Sequence, residues 1–217
     1  MIIREGLSQI FIPDEKILPG PGTKRVGFYN PDQVLNRDIT VALVNALKPH
    51  NYLDGFGGTG IRGIRVTRET GINSVIAEIN RKSVEVIERN RRENEVDLEI
   101  RNEPFESVVS RLLFDFIDVD PYGSIVPYLD VALTHVKNGG YIGLTATDLS
   151  ALTGSAPKKT ARRYKNLGKP FPYDQLCAFF SPEYHEDSER QDTPVYGSDI
   201  KNSDPFKAPY LLQDWVS

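Results

Sequence analysis

Apolar residues recur along this chain with two periods. From Val34 they return every three or four positions, with Leu35, Ile39, Ala42, Leu43 and Leu47 completing one stripe. That spacing predicts an amphipathic helix. Asn30 is its N-cap, Pro31 its first helical residue and Pro49 its stop. Arg37 falls on the more polar side. Short apolar runs at 52–53, 74–80, 97–102, 114–119 and 141–148 then predict strands. Helical stretches at 61–68, 81–94, 105–113 and 129–140 separate them, the last stopped by Gly139 and Gly140. Strand and helix alternating with short loops give an α/β fold with a mainly parallel sheet. Residues 1–27 mix apolar pieces with Gly and Pro and predict short strands or ordered loop, with Lys24 and Arg25 exposed. Residues 171–180 predict one short helix or strand. From Ser181 the chain is rich in Pro, Asp, Glu and Ser without a period, and no structure is assigned to it.

Composition sharpens this only in places. The 217 residues, 39% of them hydrophobic, suffice for one core and an appended piece. The net charge of −4 hides an uneven distribution: residues 171–217 carry nine acids against three bases, and residues 1–170 carry 21 against 23. A basic run, Lys158, Lys159, Arg162, Arg163 and Lys165, reads equally as a phosphate contact or a solvated helix face. The single cysteine, Cys177, excludes an internal disulfide and a cysteine-bound zinc, and no metal is expected. It fits a cytoplasmic protein. The N-terminal apolar run is broken by Arg4, Glu5 and Pro13, so neither a signal peptide nor a membrane span is expected.

Two stretches carry candidate chemistry. Gly55, Gly57 and Gly60 match G-x-G-x-x-G between a strand and a helix, where glycines let a ligand approach the backbone. A dinucleotide and S-adenosylmethionine both use such a loop. Asp54 before it would repel a pyrophosphate but hold an ammonium, which favours the second. Glu78, ending the next strand, accepts hydrogen bonds from ribose hydroxyls in either case. The second stretch is the strand 114–119 running into Asp120, Pro121, Tyr122 and Gly123. An exocyclic amine on a base is a poor nucleophile, because its lone pair is delocalised into the ring. The Asp120 carboxylate and the Pro121 carbonyl are two acceptors in one turn that can hold its protons, and Tyr122 can stack on the base. Transfer then depends on in-line placement. Asp118 lies on the same strand face and reads as a structural acid.

Taken together, FYNPDQVLNRD, DGFGGTGIRGIR, AEINRKSVEVIERN, FDFIDVDPYGS and GGYIGLTATDLSALTG resemble the tRNA (guanine-26, N2)-dimethyltransferases over roughly residues 1–164. The resemblance implies an α/β, Rossmann-like S-adenosylmethionine-dependent methyltransferase sheet of seven strands with helices on both faces. It implies transfer of one or two methyls to the N2 amine of a tRNA guanosine. It makes Arg37 and Arg62 cofactor-site residues beside Glu78, and Asp120 the residue that holds the amine. The family's Asp-Ala after the third strand is absent. Glu103, Pro104 and Phe105 stand there, and the Glu103 carboxylate and the Phe105 N–H are the substitutes for holding adenine, since proline donates no hydrogen bond. The resemblance divides the chain into a catalytic unit, 1–170, with 1–30 as an N-terminal extension, and an acidic, Pro-rich tail, 171–217. The resemblance implies tRNA as partner and no membrane; the tail matches no tRNA-gripping domain of the family, so either the chain is a shortened member or a second chain supplies the remainder. Amine methylation on another nucleic acid, a nicotinamide oxidoreductase and a non-catalytic tRNA-binding paralogue stay open.

Overall fold

A computed structural model describes residues 1–13, 26–146, 158, 176–180 and 211–213. The segments 14–25 and 147–157, and with them Lys24 and Arg25, lie outside the described residues. Of the basic run only Lys158 is described, and it is exposed.

The chain opens with an antiparallel hairpin, β1 (Ile2–Glu5) and β2 (Ser8–Phe11). A 3-10 turn (Pro31–Gln33), capped by the Asn30 side chain on Asp32 N–H, leads into α1 (Val34–Leu47). There follow β3 (Asn51–Asp54), α2 (Ile61–Thr70), β4 (Asn73–Ala77), α3 (Arg81–Glu93), β5 (Glu99–Arg101), α4 (Phe105–Val109), β6 (Phe114–Val119), α5 (Val126–His135) and β7 (Val136–Ala146). Two further strands, β8 (Leu176–Phe180) and β9 (Leu211–Gln213), complete a seven-stranded sheet in the order β5-β4-β3-β6-β7-β8-β9. The first five run parallel, and β8 and β9 add antiparallel at one edge. The chain winds outward from β3 through β4 to β5, then returns to lay β6 on the other side of β3. That reversal is where open α/β sheets place ligands.

Side-chain alternation sorts the core into two faces. Leu53, Ile117 and Val119 point to the side packed by α4 and α5. Tyr52 and Phe116 point to the opposite side, with Val41 and Val44 of α1 and Val66 of α2. Ile76 joins Ile64 of α2 and Ile87 of α3 in a neighbouring cluster that also takes Ile10 of the hairpin. The hairpin docks through backbone as well. Asn90 and Asn94, on the last turn of α3 and just beyond it, bond the N–H and carbonyl groups of Phe11 and Gln9 at 2.7–3.1 Å.

Three expectations change. The buried face of α1 is Asn36, Arg37, Thr40, Val41 and Val44, while Leu35 is 46% exposed. The helix faces acids contributed by distant elements, so its polar side turns inward and Arg37 is buried. The helix expected over 129–140 ends at His135, and Val136 begins β7, because it pairs with Phe114 of β6. Gly139, at φ 73°, and Gly140 absorb a register irregularity against β6 rather than stop a helix. Finally, β9 falls where no period was present. It is three residues long and owes its form to its neighbour β8.

Candidate active site

A cavity of about 720 Å³ opens at the ends of β3, β4 and β6. On its β3 side Asp54 is buried, with Oδ1 accepting the Phe56 N–H at 3.3 Å and Oδ2 the Gly63 N–H at 3.1 Å. Burial pushes its carboxyl above the usual range against the pull of Arg62. Gly55 donates its N–H to the Asp118 carbonyl at 3.0 Å. A Cβ on Gly55 would stand 2.7 Å from that oxygen and from the Phe105 ring, so the turn admits only glycine. The Gly57 N–H binds the Ala77 carbonyl at 2.9 Å and the Gly58 N–H binds Glu78 Oε2 at 2.9 Å. The other oxygen of Glu78 takes the Asn80 N–H at 2.7 Å. Gly60 is a correction: it does not line the cavity. Its φ of +80° caps α2, and a Cβ would meet Ile87 at 2.8 Å, so it serves the packing of α2 on α3.

The β6 side is built from charge. Asp118 is 2% exposed, and its Oδ2 receives the Tyr52 hydroxyl at 3.0 Å, the Thr40 hydroxyl at 3.3 Å and Arg62 Nη1 at 3.3 Å. Its Oδ1 is buried without a partner among the described residues. Burial raises its pKa to about 6; Arg62 opposes the rise, and the nearby Asp120 and Asp54 add to it. The same burial, with the Asp118 charge, holds the Tyr52 phenol well above its usual value. Arg62, itself 5% exposed, bridges the two acids: Nη1 also donates to Thr40 Oγ1 at 2.8 Å, and Nη2 pairs with Asp120 Oδ2. Asp120 Oδ1 has no partner among the described residues, and Asp120 lines the cavity. Pro121 follows it, buried, and Tyr122 stands half-exposed with its ring edge-on to Phe28 at 4.7 Å.

The far wall is aromatic. Phe56 stacks on Phe105 at 5.4 Å, and the Tyr128 ring meets both edge-on at 4.9 and 5.8 Å. Pro104 caps α4 with its carbonyl on the Ser107 N–H, and Glu103 pairs with Arg111 at the rim. Arg37 closes the cavity beneath Tyr29, 4% exposed, with Nε and Nη2 on Glu5. Of the site residues named from sequence, Arg37, Asp54, Gly55, Gly57, Arg62, Glu78, Glu103, Pro104, Phe105, Asp120, Pro121 and Tyr122 all line this one cavity.

The sequence reading missed Phe28, Phe56, Tyr128 and Gln33, which also line it. Phe56 was visible as the variable position inside the glycine motif. Tyr128 lies one residue before the helical stretch expected from 129, on a helix that begins at Val126. The Gln33 side chain is buried with both amide atoms unpartnered among the described residues. No group of three His, Cys, Asp or Glu among the described residues is placed to hold a metal ion, and none of their helices is long and apolar enough to cross a membrane.

A family model described as N2,N2-dimethylguanosine tRNA methyltransferase matches residues 6–170, the span that carries this entire cavity. The chain belongs to that family. A tRNA (guanine(26)-N(2))-dimethyltransferase of Thermoplasma volcanium is 51% identical over 164 residues, covering 76% of this chain and 47% of the relative. Its counterpart in Thermoplasma acidophilum is 48% identical over 169 residues, covering 78% and 48%. Among solved structures, Trm1 from Pyrococcus horikoshii in complex with S-adenosyl-L-methionine superposes with a TM-score of 0.68 at 33% identity, covering 76% of this chain and 47% of that one. The fold is thus that of a methyltransferase of this family, and the chain spans about half the length of the relatives it matches.

Proposed function

We propose that this chain transfers a methyl group from S-adenosylmethionine to the exocyclic N2 amine of guanosine 26 in tRNA, once or twice. The observation that carries the reading is Asp120, clamped by Arg62 through one carboxylate oxygen, with the other free among the described residues, in the cavity that the glycine loop lines.

The donor set fits S-adenosylmethionine. Glu78 keeps lone pairs for two ribose hydroxyls beyond the amides it already accepts. Phe105 and the exposed Ile79 offer apolar surface to adenine, with Glu103 at the rim. Arg37 and Asp54 offer opposite charges to an amino-acid end. A pyrophosphate fits worse, since Asp54, Glu78 and Asp120 would all face it. When bound, S-adenosylmethionine supplies a methyl group on a cationic sulfur.

The rest is the work of the chain's own residues. Tyr122, with Phe28 at its edge, presents a ring on which guanine stacks. Asp120 Oδ1 and the Pro121 carbonyl accept the two amine protons and turn the nitrogen lone pair toward the methyl. Forming the N–C bond would break the methyl–sulfur bond of the bound donor and leave a neutral thioether, and Asp120 Oδ1 would take the proton that the amine loses. Arg62 holds the carboxylate in place for this, and the aromatic wall of Phe56, Phe105 and Tyr128 keeps water out. In this reading residues 1–170 are the catalytic unit, the basic run from Lys158 meets tRNA phosphates, and the reaction runs in the cytoplasm.

The test is methylation of an unmodified tRNA transcript, with the product nucleoside identified. Asp120→Ala lowers turnover by about a hundredfold or more, with S-adenosylmethionine affinity nearly unchanged by calorimetry. Wild-type-like turnover by that variant sinks the assignment. Turnover only on addition of a second chain shows that tRNA is gripped by a partner.

A further inference from the structure

The hairpin at the start of the chain lies outside the main sheet, yet one of its side chains reaches the back of the cavity. Glu5 is 5% exposed. Its Oε1 accepts Arg37 Nε at 2.7 Å and Arg65 Nη1 at 2.9 Å, and its Oε2 accepts Arg37 Nη2 at 2.6 Å and the Tyr29 hydroxyl at 2.9 Å. Burial alone would raise its pKa, but the hydrogen bonds and charge of Arg37, with Arg65, outweigh that and hold it below the usual range. Glu5 therefore stands as a carboxylate under two cavity-lining residues, Arg37 and Tyr29.

The two arginines depend on it unequally. Arg65 has two other acids, Asp38 at 2.7 Å and Glu69 at 2.8 Å. Arg37 has no carboxylate but Glu5 among the described residues. The fork is bidentate through Nε and Nη2, which fixes the guanidinium plane. Asn30 carbonyl, 3.1 Å from Nη2, and the Tyr29 ring, 4.8 Å from the guanidinium carbon, complete the clamp. Nη1 is the amino group left without a partner among the described residues, on a side chain that lines the cavity.

We propose that Glu5 is a positioning residue for ligand binding: it fixes the Arg37 guanidinium so that Nη1 meets a carboxylate on the ligand. This rests on the reading of the cavity as an S-adenosylmethionine site, and it makes the N-terminal hairpin part of that site without touching the ligand.

The experiment uses calorimetric titration of the full chain with two probes. S-adenosylmethionine carries an amino-acid carboxylate. 5′-Methylthioadenosine shares the adenosine and sulfur but lacks it. Glu5→Gln is expected to weaken S-adenosylmethionine about tenfold and to leave methylthioadenosine within about twofold of wild type. Adding Arg37→Met to Glu5→Gln is expected to cost no further affinity beyond that of Arg37→Met alone. A purely structural role predicts that both ligands weaken together, and that result overturns the proposal. Unchanged or tighter S-adenosylmethionine binding also overturns it, since Glu5 would then only neutralise Arg37. Should Glu5→Gln fail to fold, Glu5→Asp keeps the charge with a shorter reach, and the same ligand-selective loss is expected. Wild type binding neither probe overturns the cofactor reading and the inference with it.

Discussion

The two sides of the cavity are built from the same residue type used in opposite ways. On the β3 and β4 side, Asp54 and Glu78 direct all four carboxylate oxygens to backbone N–H groups of the glycine loop and its neighbours. On the β6 side, Asp118 and Asp120 share a side-chain cation, Arg62, with the hydroxyls of Thr40 and Tyr52. Backbone amides cannot turn away, so the first side is a cradle whose shape is set before a ligand arrives. A guanidinium on a long side chain holds charge rather than shape, so the second side is an electrostatic site. Shape suits the recognition of a large cofactor, and a held carboxylate suits chemistry at an amine.

Three substitutions test that contrast. Arg62→Met leaves Asp118 buried with its charge unpaired and is expected to cost about 3–5 kcal/mol in urea unfolding. A loss below about 1 kcal/mol would mean that the hydroxyls alone carry Asp118. Asp118→Asn comes next, read as a pH profile. With a folded pKa of about 6 against 3.8, Asp118 favours the folded state in its protonated form. That contribution is full below pH 3.8 and lost as pH rises through 6. Relative to wild type, Asp118→Asn is therefore expected to gain about 2 kcal/mol between pH 4 and pH 7 and then level off. A constant difference across that range would place the Asp118 pKa near its ordinary value. The smallest effect belongs to the other side: Glu78→Gln loses one acceptor for an amide and is expected to cost about 1 kcal/mol in urea unfolding. A loss as large as that of Arg62→Met would erase the distinction between the two sides.

Much of the sheet was legible because its strands carry local signals. The run 114–119 reads as a buried strand whatever surrounds it, and its turn of Asp120, Pro121 and Tyr122 announces a strand end with an acid on it. The glycine loop was equally plain, although the motif did not separate Gly55, which must let the Asp118 carbonyl approach, from Gly60, which only packs α2 on α3. The errors have one physical source. Val136 to Gly140 reads as a helix end, yet Val136 pairs with Phe114, and strand pairing overrides local preference. Arg37 falls on the polar side of its helix with no local sign that this side is buried, because its partner Glu5 lies 32 residues away.

By itself the sequence determined the order of strands and helices, the glycine turn, and the acid at the end of β6, because each rests on the conformational preferences and spacing of residues adjacent in the chain. Only the tertiary structure decided which charges are buried together. Arg62 reaches two acids 56 and 58 residues away, and Glu5 reaches arginines 32 and 60 residues away. A charge enters the core only where its counterion is already waiting. Those meetings, set by the folding of α1, α2 and the hairpin against β3 and β6, turn a row of ordinary motifs into one cavity.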